Sequence, residues 1–97
     1  MKTVEKKIPV IEKENIPNLT FSRREVLSKP EAIKQRMYDL YRSQILGNIS
    51  QGKVWITFET SDSSLYKVNT TIWAVGEKFI NLKRGIVVPI NAIHQID

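Results

Sequence analysis

The sequence predicts an α+β protein, mainly β, in which an N-terminal helix precedes a small five-stranded antiparallel barrel. Three observations predict it. The stretch from Ser28 to Gly47 combines a helix-start signal with apolar residues at helical spacing. Beyond Gly52 the apolar period falls from about four residues to about two, the spacing of a half-buried strand. Turn chemistry around residues 61–64, at Gly76 and at Gly85 then cuts the rest of the chain into short strands.

A chain of 97 residues buries enough apolar surface for one small domain and too little for two. Residues 22–97 are the expected helix-plus-barrel domain, and residues 1–21 an extended N-terminal arm. Pro9 and Pro17 fix their own backbone angles and restrict the residues before them, which disfavours a long helix in the arm. Its apolar residues Ile8, Val10, Ile11, Ile16, Leu19 and Phe21 can dock on the domain or on a neighbour, and are the candidate partner contacts.

The helix is expected over 29–46. Ser28 followed by Glu31 makes a capping box, in which each side chain accepts from an orphan backbone N–H, and Pro30 sits in the first turn where no N–H is needed. Ile33, Met37, Leu40, Tyr41 and Ile45 trace the expected core stripe, and Gly47 supplies the left-handed residue that ends the helix. Lys34, Arg36 and Arg42 fall at roughly 100°, 300° and 180° from Ile33 at about 100° per residue, so no basic stripe runs along it.

In KVWITFET (53–60), Val54, Ile56 and Phe58 face one way and Trp55, Thr57 and Glu59 the other. LYKVNTTIWAV (65–75) is long for a strand in so small a domain and is expected to bend and serve two sheets. FINLK (79–83) pairs back, Gly85 takes a positive φ in the next turn, and IVVP (86–89) returns. Pro89 lacks the N–H a ladder needs, so it marks a corner; one tight turn over 90–92 then leads to IHQI (93–96) as the fifth strand. Closure removes the two exposed edges that an open meander would leave.

Over residues 30–97 this order resembles the Sm-like, and more broadly SH3-like, small barrels, including the Hfq family of bacterial RNA chaperones. IWAVGEKFINLK (72–83) and VVPINAIHQI (87–96) stand where that family has its two Sm motifs. The resemblance implies the barrel fold and RNA binding. The family contacts RNA through a Tyr-Lys-His run before the last strand, where this chain has Val88, Pro89 and Ile90, so that contact does not carry over. The acidic residue of the first motif is missing too, unless Glu77 takes its place.

Chemistry has little to work with. The absence of cysteine removes disulfides, thiolate nucleophiles and thiolate metal sites. His94 has no second histidine with which to share a metal or complete a relay, so it is expected to be structural or solvent-facing. No spacing pairs Glu59, Asp62 and Glu77 for acid and base work, and there is no glycine-rich phosphate loop. The expectation is a non-enzymatic protein with no cofactor, no metal and no small-molecule substrate. No apolar run approaches the roughly 18 residues of a membrane span, and charge interrupts the N-terminus too often for a signal peptide, which suggests a cytoplasmic protein without a membrane partner.

Two functions remain. The first is an interaction or assembly module whose partner is another protein or a second copy. The second is RNA or single-stranded nucleic-acid binding, with Arg23, Arg24, Lys83 and Arg84 on phosphates and Trp55 as a stacking face; Trp73, between Ile72 and Val75, reads as core. The net charge of +5 invites the second. Its distribution favours the first: residues 1–48 hold ten basic against six acidic residues, while residues 49–97 hold five against four and are almost neutral.

Overall fold

A computed structural model describes residues 7–97. The chain is α+β with one long helix, α1 (Pro30–Ser50), and six strands: β1 (Val54–Glu59), β2 (Leu65–Thr70), β3 (Ile72–Val75), β4 (Phe79–Leu82), β5 (Val87–Pro89) and β6 (Ile93–Ile96). These make two three-stranded antiparallel sheets, ordered β2-β1-β6 and β3-β4-β5.

The long segment 65–75 does serve both sheets, but it is cut in two at Thr71, which is why the strands number six and not five. Thr71 leaves the ladder because its groups are engaged elsewhere: its hydroxyl donates to the Gln51 carbonyl at 3.1 Å and its carbonyl accepts from the Lys83 N–H at 3.3 Å. The expected closed barrel does not form. Pro89 has no N–H to offer, the Ile90 N–H turns to the Lys78 carbonyl at 2.8 Å, and a 3-10 turn (Ile90–Ala92) carries the chain to β6, which pairs with β1 and not with β5. The helix covers the opening by packing on β3 and β6.

The core is continuous across both sheets. Val54, Ile56 and Phe58 point inward as the alternation predicts and meet Val68, Ile72, Ile80, Leu82, Val88, Ile93 and Leu40. Thr57 and Glu59, on the other face of β1, are buried too, with Arg24 and His94 over the Glu59 carboxylate.

The arm closes over this core. Ile16 is fully buried, and Ile11, Leu19 and Phe21 pack against the core, with the Phe21 ring 5.2 Å from that of Phe58. The Ile11 N–H donates to the Lys67 carbonyl, and the Lys67 N–H to that of Pro9, each at 2.9 Å, so the arm shields the outer edge of β2. A 3-10 turn (Lys13–Asn18) follows, running through Pro17. Ile8 is half-buried and Val10 exposed.

Helix α1 departs from expectation at both ends and in its facing. Lys29, not Ser28, is the N-cap, and no side chain caps it; Pro30 at the first helical position sets the start one residue beyond the capping box. The helix runs through Gly47 to Ser50, where Gln51, at φ 55°, takes the left-handed cap. Gly47 is interior because the helix crosses β3 there: a Cβ at this position would lie well inside contact distance of the Ile72 carbonyl and 2.9 Å from the Thr71 methyl. The buried residues are Arg36, Leu40, Ser43 and Gly47; of the expected stripe, Leu40 is buried, Met37 packs against the core and Ile33 is half-buried, whereas Tyr41 and Ile45 are exposed.

Two opposing effects act on Gly47→Ala. Helix propensity favours alanine by about 1 kcal/mol, and the clash with backbone that cannot move aside costs on the order of 1–3 kcal/mol. The clash wins: urea denaturation followed by tryptophan fluorescence is expected to show a net loss of stability. Ser28→Ala, by contrast, should leave the unfolding free energy within about 0.5 kcal/mol of wild type, as for a surface position without a cap bond.

Candidate functional site

Polar chemistry concentrates where the segment 22–27, just ahead of α1, lies against the end of β1 and the start of β6. Backbone bonds hold it there: the Ser22 N–H donates to the Glu59 carbonyl and the Val26 N–H to that of Asn91, each at 3.0 Å. The Asn91 amide donates to the carbonyls of Ser22 and Arg24, both at 2.8 Å.

Two carboxylates complete the clamp. Glu59, buried at the end of β1, accepts from Arg24 at 2.9 Å and lies 2.8 Å from His94 Nε2. A carboxylate only accepts, so Nε2 carries the proton. The hydrogen bond from His94 lowers the Glu59 pKa most; burial opposes it, and the Arg24 charge adds to the lowering. With a cationic or N–H donor on each oxygen, Glu59 is held as an ionised acceptor, which makes it a poor proton shuttle near neutral pH. Glu25 receives both terminal nitrogens of Arg36, at 2.7 and 2.5 Å, and the Leu27 N–H at 2.9 Å. Burial raises the Glu25 pKa, but the bonds and charge of Arg36 together with the Leu27 N–H outweigh it and leave the pKa lowered.

Arg36 is itself buried and also donates to the Ile93 carbonyl at 2.9 Å, joining α1 to β6. Asp62 accepts from the Thr60 hydroxyl and the Ser64 N–H and serves its turn. Among the described residues no cluster of three His, Cys, Asp or Glu side chains is arranged to hold a metal ion.

The four cations read as phosphate contacts do not converge. Arg24 binds Glu59, the last residue of β1, and Arg23 lies beside it, lining a cleft of about 300 Å³ with Ser22, Ser61 and Ser63. The Lys83 N–H meets Thr71, next to Thr70, which pairs with Val54 at the first residue of β1. The two pairs therefore lie toward opposite ends of β1, about five strand steps or roughly 16 Å apart. Arg84, in the left-handed conformation at φ 71°, sits near Glu14 of the arm and helps lower its pKa, after the backbone hydrogen bond of Glu14 and the charge of Lys13. Trp55 is half-buried with the Lys67 ammonium 5.0 Å from its ring centroid, so that face is covered. Trp73 is exposed on β3 rather than in the core, because the break at Thr71 turns Ile72 inward and its neighbour outward.

The feature that the periodicity missed is the outer face of α1. Tyr38, Tyr41, Ile45, Leu46 and Ile49 are all exposed, and the Arg42 guanidinium lies 5.6 Å from the Tyr38 ring centroid. At about 100° per residue, Tyr38, Tyr41, Ile45 and Ile49 fall within an arc of roughly 80°. The second repeat is visible in the sequence, but nothing there says which of two apolar arcs faces the sheets.

No family model, curated protein or solved structure matches this chain.

The carboxylate clamp sets an acid limit on stability. The pKa values of Glu25 and Glu59 are lowered in the fold, so the unfolded chain binds protons more readily; their contribution is complete above the unfolded value, about 4.3, and is lost as pH falls through and below it. Urea midpoints measured from pH 7 to pH 3 should therefore fall away below about pH 4.3. Glu59→Gln should start lower at neutral pH and fall less steeply. Parallel curves for variant and wild type would remove Glu59 from the clamp.

Proposed function

We propose that this protein is a non-enzymatic interaction module that assembles with a second copy of itself through the outer face of α1. One observation carries the reading: the helix is amphipathic the wrong way round for a lone domain. Its buried face holds Arg36, Leu40, Ser43 and Gly47, while its outer face holds Tyr38, Tyr41, Ile45 and Ile49, the last of them 80% exposed. A surface helix of a monomer puts its apolar stripe on the core. Here Tyr38, Tyr41, Ile45 and Ile49 face outward as one stripe along the helix, and a contiguous exposed apolar patch marks an association site.

A second copy fits the layout of that face. The stripe is aromatic in its first half, at Tyr38 and Tyr41, and aliphatic in its second, at Ile45 and Ile49. Two such helices packed antiparallel about a two-fold axis set each copy's tyrosines against the other's isoleucines, a self-complementary contact that closes as a dimer. RNA binding draws less support, because Arg23 and Arg24 are remote from Lys83 and Arg84 and Trp55 is capped by Lys67. No helix among the described residues is long and apolar enough to cross a membrane, so the stripe is not a span.

Light scattering across a concentration series should return twice the chain mass for wild type. Ile45→Glu/Ile49→Glu should return the single-chain mass with an unchanged circular-dichroism spectrum, since neither side chain contributes to the core, and with a urea midpoint that no longer depends on protein concentration. A single-chain mass for wild type at every concentration would overturn the reading, and salt-sensitive retention of single-stranded RNA would favour the alternative.

A further inference from the structure

Between the first turns of α1 and the β3–β4 turn lies a cleft of about 480 Å³ that the helix stripe does not include. Its volume is within the range of about 300–1,000 Å³ typical of ligand sites. Ile33 and Met37 of α1, Phe79 of β4 and Ile90 supply apolar walls, with Ile90 buried and Phe79 49% exposed. Arg23 and Lys78 stand at its rim with Glu77, and among the described residues neither cation makes an ion pair.

The second observation is independent of the cleft's shape. Arg36 lines the cleft and is only 4% exposed; its terminal nitrogens are held by Glu25 and the Ile93 carbonyl, but its Nε has no acceptor among the described residues. A buried donor on a charged group is seldom left unpaired. The Nε atom has no exposed surface, so an acceptor in the cleft reaches it only after a wall shifts; Met37, unbranched and adaptable, is the lining residue next to Arg36 in the chain.

We infer that this cleft docks a short acidic and apolar segment of a partner protein. An aliphatic or aromatic side chain of the segment lies between Ile33, Met37, Phe79 and Ile90, one of its oxygens accepts from Arg36 Nε, and its carboxylates face Arg23 and Lys78. Charge complementarity selects this partner: Arg36 is neutralised by Glu25, which leaves two cations against the single Glu77 at the rim. The site lies ahead of the Tyr38–Ile49 stripe on α1, so the protein carries two surfaces, and this one does not depend on the dimer.

Amidated, acetylated pentapeptides provide the probe: Glu-Leu-Asp-Leu-Glu, its counterpart with lysine at the three acidic positions, and its counterpart with serine at both leucines. Titrated into the full-length protein and followed by NMR, the acidic apolar peptide should bind saturably and shift the Arg36 Nε–H resonance and the Ile33 and Met37 methyl signals, and the other two should not. Phe79→Ala, at an exposed position that the fold does not need, and Arg23→Glu/Lys78→Glu should each weaken binding at least tenfold. Ile45→Glu/Ile49→Glu should leave it unchanged, which separates this site from the assembly face. No saturable shift with the acidic peptide, equal binding of the lysine peptide, or the same shifts produced by single-stranded RNA would each overturn the inference.

Discussion

The buried guanidinium of Arg36 is the interaction on which the arrangement of this molecule turns. It joins three parts of the chain that are far apart in sequence: the segment ahead of the helix through Glu25, the helix itself, and β6 through the Ile93 carbonyl. A charge at that depth is tolerated only with a partner, and removing the partner of a buried pair costs on the order of 3–5 kcal/mol. The pair specifies the rotation of α1 through geometry, because the bonds from Arg36 to Glu25 and to the Ile93 carbonyl form together in this rotation.

That rotation has consequences along the helix. With Arg36 inward, the same face brings Leu40, Ser43 and Gly47 to the sheets, and the two small residues let α1 approach closely enough for Gly47 to lie against the Ile72 carbonyl. The approach is reinforced where the Gln44 amide oxygen accepts from the Val75 N–H at 2.5 Å, covering an otherwise free edge of β3. Tyr38, Tyr41, Ile45 and Ile49 are left outside as a result. Close packing of the helix and exposure of its larger apolar residues are two sides of one geometric choice.

The sheets and the segment 22–27 are linked by similar economy. Glu59 ends β1, receives His94 from β6 and Arg24 from the segment ahead of α1, and so anchors both neighbours of the strand it closes. The one histidine is accordingly a structural partner to a buried carboxylate, in line with its position on a short strand. The arm adds a further layer by filling the core with Ile16 and shielding β2, which limits the edges available for sheet-to-sheet contact and leaves the helix as the main apolar surface.

Local rules read directly from the chain determined the elements. The change of period after Gly52 located β1, the length of 65–75 announced a segment shared by two sheets, Pro89 marked the corner before β6, and Pro30 located the start of α1 to within a residue. These features depend on neighbours two to four residues away, which a sequence contains. Which face of α1 is buried, whether the strands close, and whether Glu59 meets His94 depend on groups brought together from 35 to 57 residues apart. The helix carries two overlapping apolar arcs, and periodicity ranks them by hydrophobicity alone; the tertiary structure chose the poorer arc, a rotation that pairs Arg36 with Glu25 and the Ile93 carbonyl and lets a glycine rest against the β3 backbone.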